Sequence, residues 1–103
     1  MGNPSDRIPF AQETITVSSS QVSLDNTIYN PYADGHKLET EIYVETAQIR
    51  FGFHPDGAVT GPPVEAGQNF SLYNETEIKN VRLIRGGSTD ATVRVQYFKT
   101  PLL

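Results

Sequence analysis

Apolar and polar residues alternate with a period of two through most of this chain, the signature of half-buried β-strands. The pattern is cleanest in residues 90–98 (DATVRVQYF), where Ala91, Val93, Val95 and Tyr97 face one way and Thr92, Arg94 and Gln96 the other. The rest is organised around residues 41–61. Ile42 and Val44 oppose Glu41, Tyr43 and Glu45; then Ile49, Phe51 and Phe53 oppose Gln48, Arg50 and Gly52. His54-Pro55-Asp56-Gly57 follows with turn chemistry, a fixed φ at Pro55 and a permissive Gly57. Further strands are predicted over residues 13–18 (Ile15 and Val17 on one face), 21–24 (Val22 and Leu24 inward), 68–73 (Phe70 and Leu72) and 80–85 (Val81 and Leu83). The Ser18-Ser19-Ser20 run suggests a hairpin or bulge, and Gly86-Gly87-Ser88 a hairpin loop.

Between these runs the chain is punctuated. Residues 25–37 hold Asn30-Pro31 and Asp34-Gly35, so they predict a loop, folded over one end of the sandwich by Ile28, Tyr29 and Tyr32. Pro62-Pro63 excludes a central strand and suggests an extended crossing. Residues 74–78 predict a turn or one short helical turn. The expected fold is therefore all-β, an antiparallel β-sandwich or jelly roll of about seven or eight short strands. Residues 13–103 form its single domain. Residues 1–12 contain two prolines and no alternation, which suggests a disordered tail or an extended N-terminal arm. Under the second reading Ile8 and Phe10 dock on a neighbouring subunit. Ile8, Phe10, Tyr29 and Tyr32 are the candidate assembly contacts.

Composition narrows the function. A chain of 103 residues supports one domain and one core without staples. There is no cysteine, hence no disulfide and no thiolate metal site. A net charge of −4 argues against a nucleic-acid partner, which would favour a basic stripe. The one basic cluster, Lys79, Arg82 and Arg85, is flanked by Glu75 and Glu77. No apolar run reaches the roughly 20 residues of a membrane span. The opening MGNPSDRIPF has no apolar signal region, and Asp6 stands where a myristoylation site needs Ser or Thr. The expectation is a soluble protein made without an export signal.

Candidate chemistry is sparse. Glu39 and Glu41 lie two residues apart on one strand face, a spacing loosely compatible with a glycosidase pair, though a row of acids on a strand is ordinarily a solvated surface. Asp34 with His36, and His54 with Asp56, lack a third ligand at recognisable spacing. No metal, cofactor or enzymatic activity is expected. Asn69 and Asn74 begin glycosylation acceptor patterns, which chance explains. Stacking of Tyr29, Tyr32 and Tyr43 on a sugar would make a carbohydrate-binding module, whereas packing is the commoner use of such rings.

The order EIYVETAQIRFGF, DGAVTG, EAGQNFSL and EIKNVRLIRGGSTDATVRVQYF resembles a family of small virion structural proteins of tailed bacteriophages. Its hallmarks are a V-E-x-A-x-I-R strand end, an Asp-Gly turn with a nearby Thr, and a closing hairpin, here from Ile84-Arg85 to Tyr97-Phe98. The resemblance covers residues 41–98 and leaves out the N-terminal third. It implies a capsid decoration (cement) protein, made in the host cytoplasm and bound to the major capsid protein on the virion surface, often as a homotrimer. A tail, neck or fibre-base component with the same domain is the alternative within the virion.

Overall fold

A computed structural model describes residues 7–32, 35–53 and 57–101. Its strands are β1 (Ile8–Val17), β2 (His36–Val44), β3 (Ile49–Phe53), β4 (Pro63–Val64), β5 (Asn69–Leu72), β6 (Val81–Arg85) and β7 (Ala91–Pro101). Two short helices, α1 (Asn26–Tyr29) and α2 (Glu75–Asn80), complete the regular structure with 3-10 turns at Asn30–Tyr32 and Gly57–Thr60. The strands form two antiparallel sheets, ordered β1-β7-β2-β5 and β4-β3-β6. Beside β6, Val22 and Leu83 exchange backbone hydrogen bonds at 2.9 Å in each direction, a one-residue bridge that marks an eighth strand position. With that position included, the chain changes sheet at every connection except β3 to β4. This is the winding of a jelly roll, and the expected all-β sandwich is what the chain forms.

The alternation places most of the core, to which the structure adds Leu38 and Val64. Val17, Leu38, Ile42, Val44, Leu72, Ala91, Val93, Val95 and Tyr97 from the four-stranded sheet are buried against Ile49, Val64, Val81 and Leu83 from the other. Burying an aliphatic side chain of this size stabilises by about 1.5–3 kcal/mol, so this face-to-face layer supplies most of the driving force. Ile78 plugs the core from α2, whose start is fixed by Asn74: its Oδ1 accepts from the Glu77 amide at 2.9 Å. The Glu77 carboxylate in turn accepts from the Tyr73 amide at 2.7 Å.

Several expectations need correction. Residues 8–12 are not an arm: they are the first half of β1, paired with β7 from Ile8↔Lys99 onward, so the boundary expected at 12/13 falls inside a strand. Pro9 is tolerated because β1 lies at the sheet edge, and a register shift between Pro9 and Ala11 absorbs the misfit. Residues 1–6 lie outside the described residues. Residues 21–24 form the single bridge rather than a strand, and residues 25–37 hold α1 and a 3-10 turn, with Asp25 capping α1 through the Thr27 amide at 3.0 Å. Gly86-Gly87-Ser88 is no hairpin loop, because β6 and β7 belong to different sheets; it crosses between them, steadied by Arg85 and Asp90 at 2.6 Å. The turn expected at His54, Pro55 and Asp56, and the corner at Asp34, lie outside the described residues. Phe53, expected inward, ends β3 beyond the cover of the facing sheet and is 39% exposed.

One buried group works against the fold. Thr40 is fully buried between Leu72 and Tyr97 on neighbouring strands, and its hydroxyl oxygen has no hydrogen-bond partner among the described residues. An unsatisfied buried hydroxyl costs about 1–3 kcal/mol. Thr40→Val, which keeps the shape, is expected to raise stability by about 1 kcal/mol and the melting temperature by several degrees. Leu83→Ala, at the centre of the facing sheet, is expected to cost about 2–5 kcal/mol by leaving a cavity. Denaturant unfolding of both variants checks the pair of signs.

Candidate functional site: an aromatic end, a charged face and an open edge

The bulge in β1 decides where the candidate contacts go. It turns the Phe10 ring onto Tyr32, with centroids 4.4 Å apart, and within 6.1 Å of Tyr97. Tyr29, delivered by α1, stacks on Tyr97 at 5.9 Å and is only 3% exposed. Lys99 places its ammonium 4.2 Å from the Tyr32 ring centroid, a cation–π contact, and His36 meets the same ring edge-on at 6.4 Å. Three of the four candidate residues, Phe10, Tyr29 and Tyr32, are thus gathered at one end of the sandwich. Tyr29 supports the cluster from within, while Phe10 and Tyr32 are half-buried. Ile8 stands apart, 46% exposed at the start of β1.

Beneath the aromatic rings, the Tyr97 hydroxyl donates to Glu13 Oε2, and the same oxygen accepts from the Asp25 amide at 3.2 Å. Burial first, and then the bond to Glu13, push the Tyr97 phenol far above the ordinary tyrosine value. An inward-pointing glutamate on an edge strand is thereby satisfied and fixed.

The outer face of the four-stranded sheet is a charge lattice. Arg7 reaches Glu41 at 2.7 Å and Glu39 at 3.6 Å, its guanidinium lying 3.8 Å from the Phe98 ring centroid. Lys37 approaches Glu39 at 3.5 Å, and the Tyr43 hydroxyl donates to Glu41. The bond from Tyr43, and then that from Arg7, hold the Glu41 carboxyl below its usual range. A glycosidase acid needs the opposite, a carboxyl kept protonated near neutrality. Glu41 is therefore held as a carboxylate within the surface network of Arg7 and Tyr43. Arg94 pairs with Glu45 at 2.5 Å farther along the same face.

The remaining candidates scatter. Tyr43, 40% exposed, lies on this charged face, away from Tyr32. Lys79 pairs with Glu75 at 3.1 Å and Arg85 with Asp90, while Arg82 donates to the carbonyls of Lys79 and Val81, so the basic cluster is spent locally. Among the described residues, no three His, Asp or Glu side chains gather to hold a metal ion, and no helix is long and apolar enough to cross a membrane. The most exposed large aromatic among the described residues is Tyr73, at 60%, which sequence reading did not nominate. Its signal was positional: it follows Leu72 at a strand end and precedes the cap of α2. Near it, Phe53, Thr76, Glu77 and Asn80 line a shallow depression of about 190 Å³.

The third feature is an edge. β1 has β7 on one side and, among the described residues, no strand on the other. The other sheet edges are short: β5 has four residues, β4 has two, and the Val22 position is one bridge.

No family model matches the sequence, and no curated protein matches it. Among solved structures, the chain is similar to one from Bacillus endospore appendages, described as forming a novel family of disulfide-linked pili. That likeness has a TM-score of 0.50 at 16% identity and covers 94% of this chain and 89% of the other. At such identity it shows the fold.

Two pH dependences follow from these networks. Glu41 binds its proton less tightly folded than unfolded, so its contribution is present above the ordinary value near 4.5 and lost as pH falls through the folded value. Glu41→Gln is expected to flatten the acid side of a stability–pH profile. Tyr97 does the reverse: it holds its proton more tightly when folded, so its contribution is full below about pH 10 and lost as pH rises further. Tyr97→Phe is expected to flatten the alkaline side. Denaturant midpoints across the pH range, wild type against each variant, check both signs.

Proposed function

We propose that the chain is a non-enzymatic structural subunit that works through its outer surfaces and, more finely, a capsid decoration protein of a tailed bacteriophage. On this reading it binds the outer face of the major capsid lattice and stabilises it, the homotrimer being assembled on the lattice at its three-fold positions. The observation that carries the coarser reading is that one jelly roll accounts for the described chain from Ile8 to Pro101. A fold likeness spanning nearly all of a pilus-forming protein supports it, because that module too is put to use in an assembly. Jelly rolls also recur among viral capsid domains. The finer reading rests on the resemblance of residues 41–98 to phage virion proteins.

The physics suits decoration. Many weakly bound copies on a lattice gain avidity, because each site held raises the effective concentration at the next. With no cysteine in the sequence, cohesion has to come from surface contacts. Phe10 and Tyr32, half-buried beside Lys99, and the exposed Ile8 offer apolar anchors with a charged rim, the composition of an interface core.

Antibody labelling of purified particles tests the reading. Label spread densely over the heads, with particles lacking the protein more easily broken by heat, is the expected result. Label confined to the tail or neck would move the protein to that part of the virion, and its absence from particles would overturn the reading. Adding purified protein to undecorated heads should restore their heat resistance, and Phe10→Ala combined with Ile8→Ala should weaken that rescue at least tenfold, as hot-spot anchors do.

A further inference from the structure

We infer that β1 is a self-recognition edge, and that it pairs antiparallel with β1 of a second copy across a two-fold axis at Thr14. The inference goes beyond the capsid reading and does not depend on it, since the dimer forms from the purified chain alone.

The first support is the asymmetry of the edges. An edge strand presents unpaired N–H and C=O groups, and proteins blunt it by shortness, proline, bulges or lysine. β5, β4 and the Val22 bridge are blunted by shortness, and β4 also begins with Pro63 after Pro62. β1 is ten residues long. Its Pro9 and the bulge at Pro9/Ala11 occupy one end, leaving residues 11–17 (AQETITV) without proline, glycine or lysine and, among the described residues, paired to β7 on one side alone. Among the described residues, a second copy offers no other edge of matching length. A strand pairing between copies is therefore β1 with β1, and an isologous contact of this kind closes as a two-fold dimer.

The second support is the side-chain register. An axis at Thr14 uses all of residues 11–17, setting Thr14 against Thr14, Gln12 against Thr16, and Glu13 against Ile15. Cross-strand Thr–Thr pairs are favourable, and no like charges meet. A shift to an axis at Glu13 would oppose two glutamates. An axis at Ile15 would shorten the regular pairing to residues 13–17. The Glu13 carboxylate reaches the junction already hydrogen-bonded, because the Tyr97 hydroxyl and the Asp25 amide donate to it. On the outer face Thr14, Thr16 and Gln12 are exposed, so the joined edge makes a neutral band beside Arg94, itself paired to Glu45. Pairing joins two four-stranded sheets into one continuous sheet. A three-fold assembly would need another surface, because it joins two different patches.

The absence of cysteine makes the test direct. Opposed residues of an antiparallel pair have Cα atoms about 4.5–5.5 Å apart, within disulfide range. Thr14→Cys is expected to cross-link with itself under mild oxidation. Thr16→Cys alone is expected not to, whereas a mixture of Gln12→Cys and Thr16→Cys chains should link. All three positions are exposed, and circular dichroism verifies that each variant is folded. Light scattering on the unmodified chain should give twice 11.4 kDa, and Thr14→Lys, which sets two ammonium groups face to face, should weaken the dimer severalfold. A monomeric mass at the highest soluble concentration, or a dimer or trimer in which neither Thr14→Cys nor the Gln12/Thr16 mixture links, would overturn the inference.

Discussion

The structure depends on β7. It is the longest strand, eleven residues, and it is hydrogen-bonded along both sides, to β1 from Ile8↔Lys99 to Val17↔Ala91 and to β2 from His36↔Pro101 to Val44↔Val93. Its inward residues Val93, Val95 and Tyr97 are the floor on which the facing sheet rests. The first strand in the chain therefore waits on the last. Such pairing costs loop-closure entropy before any contact repays it, so folding is expected to be slow for the chain's size. The same closure removes two edges: once β1 and β2 flank β7, the strand with the most regular alternation is no longer open to foreign strands.

Polar residues are sorted by the same constraint. Every second residue of β7 and β2 must face outward, and there the side chains neutralise one another: Arg7 with Glu39 and Glu41, Arg94 with Glu45. Pairs of this exposure contribute about 0–1 kcal/mol each, so their effect is to set the character of the surface more than to hold the sheet. Glu13 is the exception. It faces inward near Tyr97, where a bare carboxylate would be costly, and the phenol and the Asp25 amide supply its hydrogen bonds. That arrangement ties β1 to the start of α1 and keeps Tyr29 stacked on Tyr97.

Which faces are buried was legible in the sequence, because period-two alternation is a local property of the strand. Val81 and Leu83, Ile42 and Val44, and the four inward residues of β7 follow it without exception. What failed were particular connections, which depend on the strands that meet there. Residues 86–88 have the composition of a hairpin loop, yet a jelly roll sends consecutive strands to opposite sheets, and no local pattern distinguishes a crossing from a turn. Residues 8–12 resemble a tail because Pro9 and the bulge erase the alternation; only the length of β7 reveals that a partner is needed there. The aromatic end was partly legible: Phe10, Tyr29 and Tyr32 were singled out, but Lys99 and Glu13, which complete the cluster, are unremarkable until β1 is laid beside β7. Phe53 obeys the alternation and still lies exposed, since burial also requires a residue opposite.

The edges carry the last consequence. A sandwich closed at the middle of one sheet still has four edges, and what a protein does with them determines how copies of it can meet. Three here are too short to template a strand, which limits chance association and filament growth. The fourth is long, neutral on its outward side and regular over residues 11–17, and its one inward charge is already hydrogen-bonded. A chain without cysteine cannot lock a neighbour covalently through a disulfide. Its contacts are reversible, so geometry has to supply the selectivity that a covalent link would otherwise enforce. A single competent edge does that: it admits one partner strand, in one register, and among the described residues no further edge of that length is left to offer.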